Sequence, residues 1–125
     1  MSQANGVSES DFQRALMDAI GSNPRFRLWR QLVGKFYWMD HDGNFHPLRV
    51  GPPKGAADLT GFVWRTGTRI EWEVKSASGR VSPEQERWGR AMNAGGVIHR
   101  VSRYDDGLSL KENVQREMAW LEAAT

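Results

Sequence analysis

Apolar residues change their spacing along this chain, and each change marks an element. From Ser8 to Ile20, Phe12, Ala15, Leu16, Ala19 and Ile20 recur every three or four positions, the period of a helix with one buried stripe. Ser8 with Asp11 predicts its N-terminal cap, and Gly21, Asn23 and Pro24 its end. Within "FRLWRQLVGKFYWMD" the pattern predicts a strand over Leu32–Met39, followed by a tight turn at "HDGN". "FHPLRV" returns as a short edge strand, where Pro47 can be tolerated. After the loop "GPPKGAA", the segments "DLTGFVW" and "TRIEWEVKS" predict two strands joined around Thr66-Gly67. Ser82, Pro83 and Gln85 open the next helix, with Trp88, Ala91 and Met92 as its apolar face and Gly95-Gly96 as its stop. "GVIHRVS" is a strand placed for a helical crossover back to the sheet. Ser109 with Glu112 then caps a last helix that packs through Val114, Met118 and Leu121. The predicted order is α-β-β-β-β-α-β-α, an α/β arrangement.

At 125 residues, the chain is expected to be one domain, 1–125, with residues 1–7 a flexible lead-in. The absence of cysteine excludes disulfides, thiolate catalysis and cysteine-ligated zinc, and suits a reducing, cytoplasmic setting. No apolar run has the length of a membrane span, and "MSQANGVSES" does not resemble a secretory signal, so a non-secreted protein without a membrane partner is expected. Seventeen basic against fifteen acidic residues permit a nucleic-acid partner without demanding one, so the placement of charge matters more than its sum.

One charge row changes the picture. Along "RIEWEVK", Ile70, Trp72 and Val74 share one face of a strand, and Glu71, Glu73 and Lys75 share the other. A solvated sheet face is the plain explanation of such a row. Asp58 offers another, because it begins the preceding strand behind a glycine loop. Two adjacent antiparallel strands can bring Asp58 and Glu73 onto one hard divalent cation, with a backbone carbonyl such as that of Val74 adding a third oxygen. Lys75 then stands one side-chain step beyond Glu73, able to hold water or to stabilise charge at phosphorus.

These residues resemble the PD-(D/E)xK nuclease superfamily and, within it, the VRR-NUC domain, in particular its small stand-alone phage-type members. "GAADLTGF" is similar to that family's glycine loop, acid and following strand, "EVK" to its Glu-x-Lys motif, and "SPEQ" to its helix opening with glutamine. "ESDFQ" resembles its first-helix glutamate and glutamine, and "RQLVGKF" its basic pre-strand segment, so the likeness runs from about Glu9 to Val101. Ala57 stands where the family's proline precedes the acid, and Glu71 where it often has an apolar residue. The resemblance implies a mixed β-sheet flanked by helices. It also implies Mg²⁺- or Mn²⁺-dependent DNA cleavage, selective for branched or four-way junction DNA, by a homodimer. It makes Glu9, Asp58, Glu73 and the Val74 carbonyl metal ligands, Lys75 the catalytic lysine, and Gln85 a residue that places water or substrate.

Plainer roles stand beside these. Glu9 can simply complement the helix dipole, and Gln85 can simply complete a capping box. Arg30, Lys35, Lys54, Arg80 and Arg87 are candidates for phosphate contacts, though scattered surface cations are common. His41, His46 and His99 form no familiar zinc spacing. Trp72 and Trp88 are expected in the core, whereas Tyr37, Trp38 and Trp64 could stack on bases or lie in a subunit interface. "GAADLTG" lacks the Lys-Ser/Thr ending of a nucleotide P-loop. Two further readings remain open at this point: a noncatalytic DNA-binding module of the same fold, and a protein-interaction adaptor with a solvated charge row.

Overall fold

The computed structural model describes residues 6–32 and 34–125. Three helices are each launched by a reciprocal cap. Helix α1 (Glu9–Gly21) starts at Ser8, whose side chain accepts from the Asp11 amide while Asp11 accepts from the Ser8 amide. Ser82 and Gln85 repeat this at α2 (Pro83–Ala94), and Ser109 and Glu112 at α3 (Leu110–Ala124). Each box satisfies amides that the first helical turn cannot.

A mixed four-stranded sheet carries the core. Its order is β1 (Phe26–Arg30), β4 (Leu59–Val63), β5 (Arg69–Lys75), β6 (Ile98–Arg103), with β5 and β6 parallel and the other pairs antiparallel. The two remaining strands, β2 (Gly34–Met39) and β3 (Phe45–Val50), form a separate hairpin across the predicted "HDGN" turn. The element order is therefore α-β-β-β-β-β-α-β-α, one strand more than expected. The predicted strand Leu32–Met39 begins at Gly34 instead, because residues 26–30 form their own strand against β4.

One face of the sheet packs on α1 and α3. Phe12, Leu16 and Ile20 of α1 and Leu121 of α3 are fully buried against Phe26, Leu59, Ile70, Trp72 and Val74. Helix α2 covers the other face, over β5 and β6. Its innermost residue is Gly89, where a Cβ would come within 2.8 Å of the His99 ring; Ala91, expected inward, is exposed. Trp72 is in the core as expected, and Trp88 is half-buried. The expected lead-in at residues 1–7 lies mostly outside the described residues, and Val7 packs against the core. No helix among the described residues is long and apolar enough to cross a membrane.

Candidate active site

The register of two strands brings the acids together. Leu59 faces Trp72 and Thr60 faces Glu71, so one step further the pairing sets Asp58 opposite Glu73. The short connection at Thr66-Gly67 enforces this register, with the Val63 amide donating to the Thr68 carbonyl (2.8 Å) and the Gly67 amide to the Val63 carbonyl (3.0 Å). Asp58 is anchored on both sides. Its carbonyl accepts from the Gln31 amide (2.8 Å), and its Oδ2 accepts from the Val74 amide (3.0 Å). The glycine loop before it docks on α2: Gly55 has φ +100°, and a Cβ there would meet the Glu84 carbonyl oxygen at 2.5 Å. Neither the backbone angle nor the space admits another residue easily.

The charge row is buried, not solvated. Glu71 is wholly inaccessible and Glu73 only 3% exposed. Burial treats the two differently. Glu71 accepts from Trp88 Nε1 (2.7 Å), Arg69 (3.0 Å) and Gln31 Nε2 (3.2 Å), so its negative charge is fully matched. Glu73 accepts from Gln85 Nε2 at 3.2 Å on Oε2. Its Oε1 is buried without a donor among the described residues. Burial first, then the charge and hydrogen bond of Asp58, push the Glu73 carboxyl from its ordinary 4.5 up to about 9; Glu9 adds to the rise and Lys75 opposes it. In the metal-free site this environment favours the protonated form of Glu73.

The same pair suits a hard cation. An orphaned buried carboxylate oxygen beside a second carboxylate is a donor set that Mg²⁺ or Mn²⁺ can take in place of the proton, keeping waters on its open side. Among the described residues no group of three or more His, Asp or Glu side chains converges as a ready cage. Glu9 is exposed in the first turn of α1 and reaches Glu73 through its charge. Val74 contributes its amide to Asp58, a contact that the sequence reading had not foreseen. Lys75 is half-buried and makes no ion pair within 4 Å among the described residues. Gln85 completes the capping box, its Oε1 accepting from the Ser82 amide (2.9 Å), and its Nε2 donates to Glu73 Oε2 (3.2 Å).

The basic candidates are spread more widely. Lys54 is exposed and pairs with Glu84 at 3.6 Å. It shares with Arg87, Trp88 and Ala91 a shallow cleft of about 200 Å³ beside α2. Arg80 and Arg87 are exposed, Arg30 lies at the end of the edge strand β1, and Lys35 stands on the hairpin across from Arg49. The sequence reading also missed Gln31, which bridges the Ala57 carbonyl (3.0 Å) and Glu71 and so ties the acid loop to the buried row. A polar residue ending a basic, aromatic strand was the available signal. A concavity of about 710 Å³ between α1 and α3 is lined by Ala15, Asp18, Ala19, Leu110, Lys111, Val114 and Gln115, away from the acid pair. No family model, curated protein or solved structure matches this chain.

Proposed function

We propose that this chain is a Mg²⁺- or Mn²⁺-dependent DNA endonuclease of the PD-(D/E)xK type, similar to stand-alone VRR-NUC domains. The observation that carries this reading is the unpartnered Glu73 Oε1, held beside Asp58 with Lys75 and Gln85 in attendance. Asp58 and Glu73 would hold the ion, with Glu9 and the Val74 carbonyl as further oxygen donors. When bound, such an ion acidifies water and neutralises phosphate oxygens. Asp58 is fixed for this by the Val74 and Gln31 amides, so little reorganisation is needed. Gln85 occupies Glu73 Oε2 and leaves Oε1 free. Lys75 keeps its ammonium available where negative charge grows on phosphorus. Water replaces the 3′-oxygen in line, leaving a 5′-phosphate and a 3′-hydroxyl.

A domain of this size has little surface for reading a long sequence, so branched, flapped or four-way DNA is the favoured substrate, and a homodimer would set two sites on two strands. Purified protein is to be incubated with supercoiled plasmid, linear duplex, flaps and four-way junctions in Mg²⁺, Mn²⁺ or EDTA. Cutting is expected only with metal, and Asp58→Ala and Lys75→Ala should each lower it by about 10²–10³-fold or more while remaining folded. Cutting unaffected by either change rejects the site. DNA binding without cutting, unchanged in both variants, would instead mark a noncatalytic module.

A further inference from the structure

Helix α2 lies over β6 and reaches Glu71 and Glu73 of β5 on the sheet face that carries the acid pair. Away from α2, Trp29 and Trp64 are half exposed and Phe62 is half-buried, while Thr60 beside the acid pair is buried. Alternate residues along β4 and its two flanking positions share a face, so Asp58, Thr60, Phe62 and Trp64 form one row. Register adds Arg27 opposite Phe62 and Trp29 opposite Thr60 from β1. The side chains meet accordingly. Trp29 and Phe62 are in edge contact with centroids 6.2 Å apart, Phe62 and Trp64 are 6.5 Å apart, and the Arg27 guanidinium lies 4.7 Å over the Trp64 ring. Trp29 is 50% and Trp64 52% exposed. In a chain with a core of its own, two half-exposed tryptophans joined through a phenylalanine need a reason.

The charge around them suggests what they meet. Between Pro24 and Met39 the sequence holds arginine and lysine, and between Leu59 and Ile70 arginine, with no acid in either stretch. Arg25 and Arg69 pair with Glu122 and Glu71, but among the described residues Arg27 donates only to the carbonyls of Pro24 and Phe26, and Arg30 and Arg65 make no ion pair within 4 Å. Flat aromatic faces interleaved with unneutralised guanidinium groups fit unpaired bases and their phosphates. The row has a direction too: it starts at Asp58 and ends at Trp64, about 20 Å away at about 3.4 Å per strand residue.

Resting on the nuclease reading, we propose that this row is a stacking platform for a single-stranded arm of the DNA substrate. The arm lies along β4 with bases on Trp29 and Trp64 and phosphates at Arg27, and so leads the strand to the acid pair. The row would thereby favour flapped or frayed DNA over a closed duplex.

The test is binding, kept apart from cleavage. In EDTA, a fluorescein-labelled oligothymidine of about 12 nucleotides is titrated with the protein and followed by anisotropy. Trp29→Ala and Trp64→Ala should each raise Kd about 5- to 150-fold, and Trp29→Phe/Trp64→Phe should keep most of the affinity because a ring remains. In Mg²⁺, the alanine variants should lose cutting of flaps more than of linear duplex. Oligouridine should bind about as well, since stacking does not read the sugar; binding of RNA alone would overturn the DNA assignment. Unchanged oligothymidine affinity in folded alanine variants overturns the platform, whatever the enzyme cuts. A dimer that the alanine changes dissociate, with that affinity intact, would assign the face to a second copy and overturn it likewise. If no DNA is cut under any condition, the nuclease reading fails, and the ring-dependent binding still decides the platform by itself.

Discussion

Glu117 and Glu73 are both buried carboxylates against the same sheet, on opposite faces, and their surroundings could hardly differ more. Glu117 of α3 accepts from Arg100 Nε (2.8 Å), Ser102 Oγ (2.6 Å) and Arg116 Nε (2.7 Å). Ser102 in turn accepts from Trp72 Nε1, and Arg100 lies 4.6 Å over the Trp120 ring. Burial alone would raise the Glu117 carboxyl, but the hydrogen bonds from Arg100, Ser102 and Arg116 outweigh it and hold the group below its usual range. Glu73 has the Gln85 amide as donor, a second carboxylate as neighbour and, among the described residues, an oxygen with nothing to accept from. The first arrangement is closed: every lone pair is matched, and the cluster ties α3 to β6. The second is open, and its unmet need has the character of a positive charge. Cost without evident structural return is what distinguishes a candidate site from a structural ion pair.

Breaking the closed cluster should have the largest effect on stability. Glu117→Ala leaves two guanidinium groups without their counterion and should cost about 3–5 kcal/mol in chemical denaturation, with no dependence on added Mg²⁺. The open site should respond in the opposite sense. Glu73→Gln should stabilise the metal-free protein by about 1–3 kcal/mol near neutral pH, since the parent must take up a proton to fold there and the amide need not.

The two carboxyls also give pH dependences of opposite sign. The folded-state pKa of Glu117 is lowered, so its contribution is present above the ordinary glutamate value and is lost as pH falls through the lowered one. That of Glu73 is raised, so its contribution is full below 4.5 and is lost as pH rises towards about 9. Metal-free protein should thus lose stability on the alkaline side, and Glu73→Gln should flatten that limb while leaving the acid limb alone. The smallest effect is expected at the link between site and scaffold. Gln85→Ala removes both a capping acceptor and the Glu73 donor, and should lower the denaturation midpoint by an amount worth about 1–2 kcal/mol.

What the sequence disclosed follows from how local each determinant is. The three capping boxes lie within four-residue windows, so Ser8, Ser82 and Ser109 announced their helices directly. The approach of Asp58 to Glu73 was legible because one tight connection sets the register of β4 and β5. Strand β1 was not. Its five residues, "FRLWR", run into the hairpin with neither glycine nor proline before Gly34, so the only strand predicted in that segment was Leu32–Met39, and residues 26–30 were left without one. The matching of Glu71 was hidden for a different reason: Gln31 and Trp88 come from segments far apart in the chain. The Glu117 cluster was missed because the helical stripe was sought among apolar residues. Val114 and Met118 are only half-buried, while Asn113 and Glu117 face inward beside Leu121.

We propose that Glu73, beside Asp58, holds a proton when metal-free and gives it up when a divalent cation binds. Calorimetric titration of the parent protein with Mn²⁺ near neutral pH, repeated in two buffers of different ionisation enthalpy, measures both binding and proton release. Saturable binding with release of about one proton, abolished in Glu73→Gln, is the predicted result. Binding that persists unchanged in that variant, or a parent protein that takes up no Mn²⁺ at all, would contradict it.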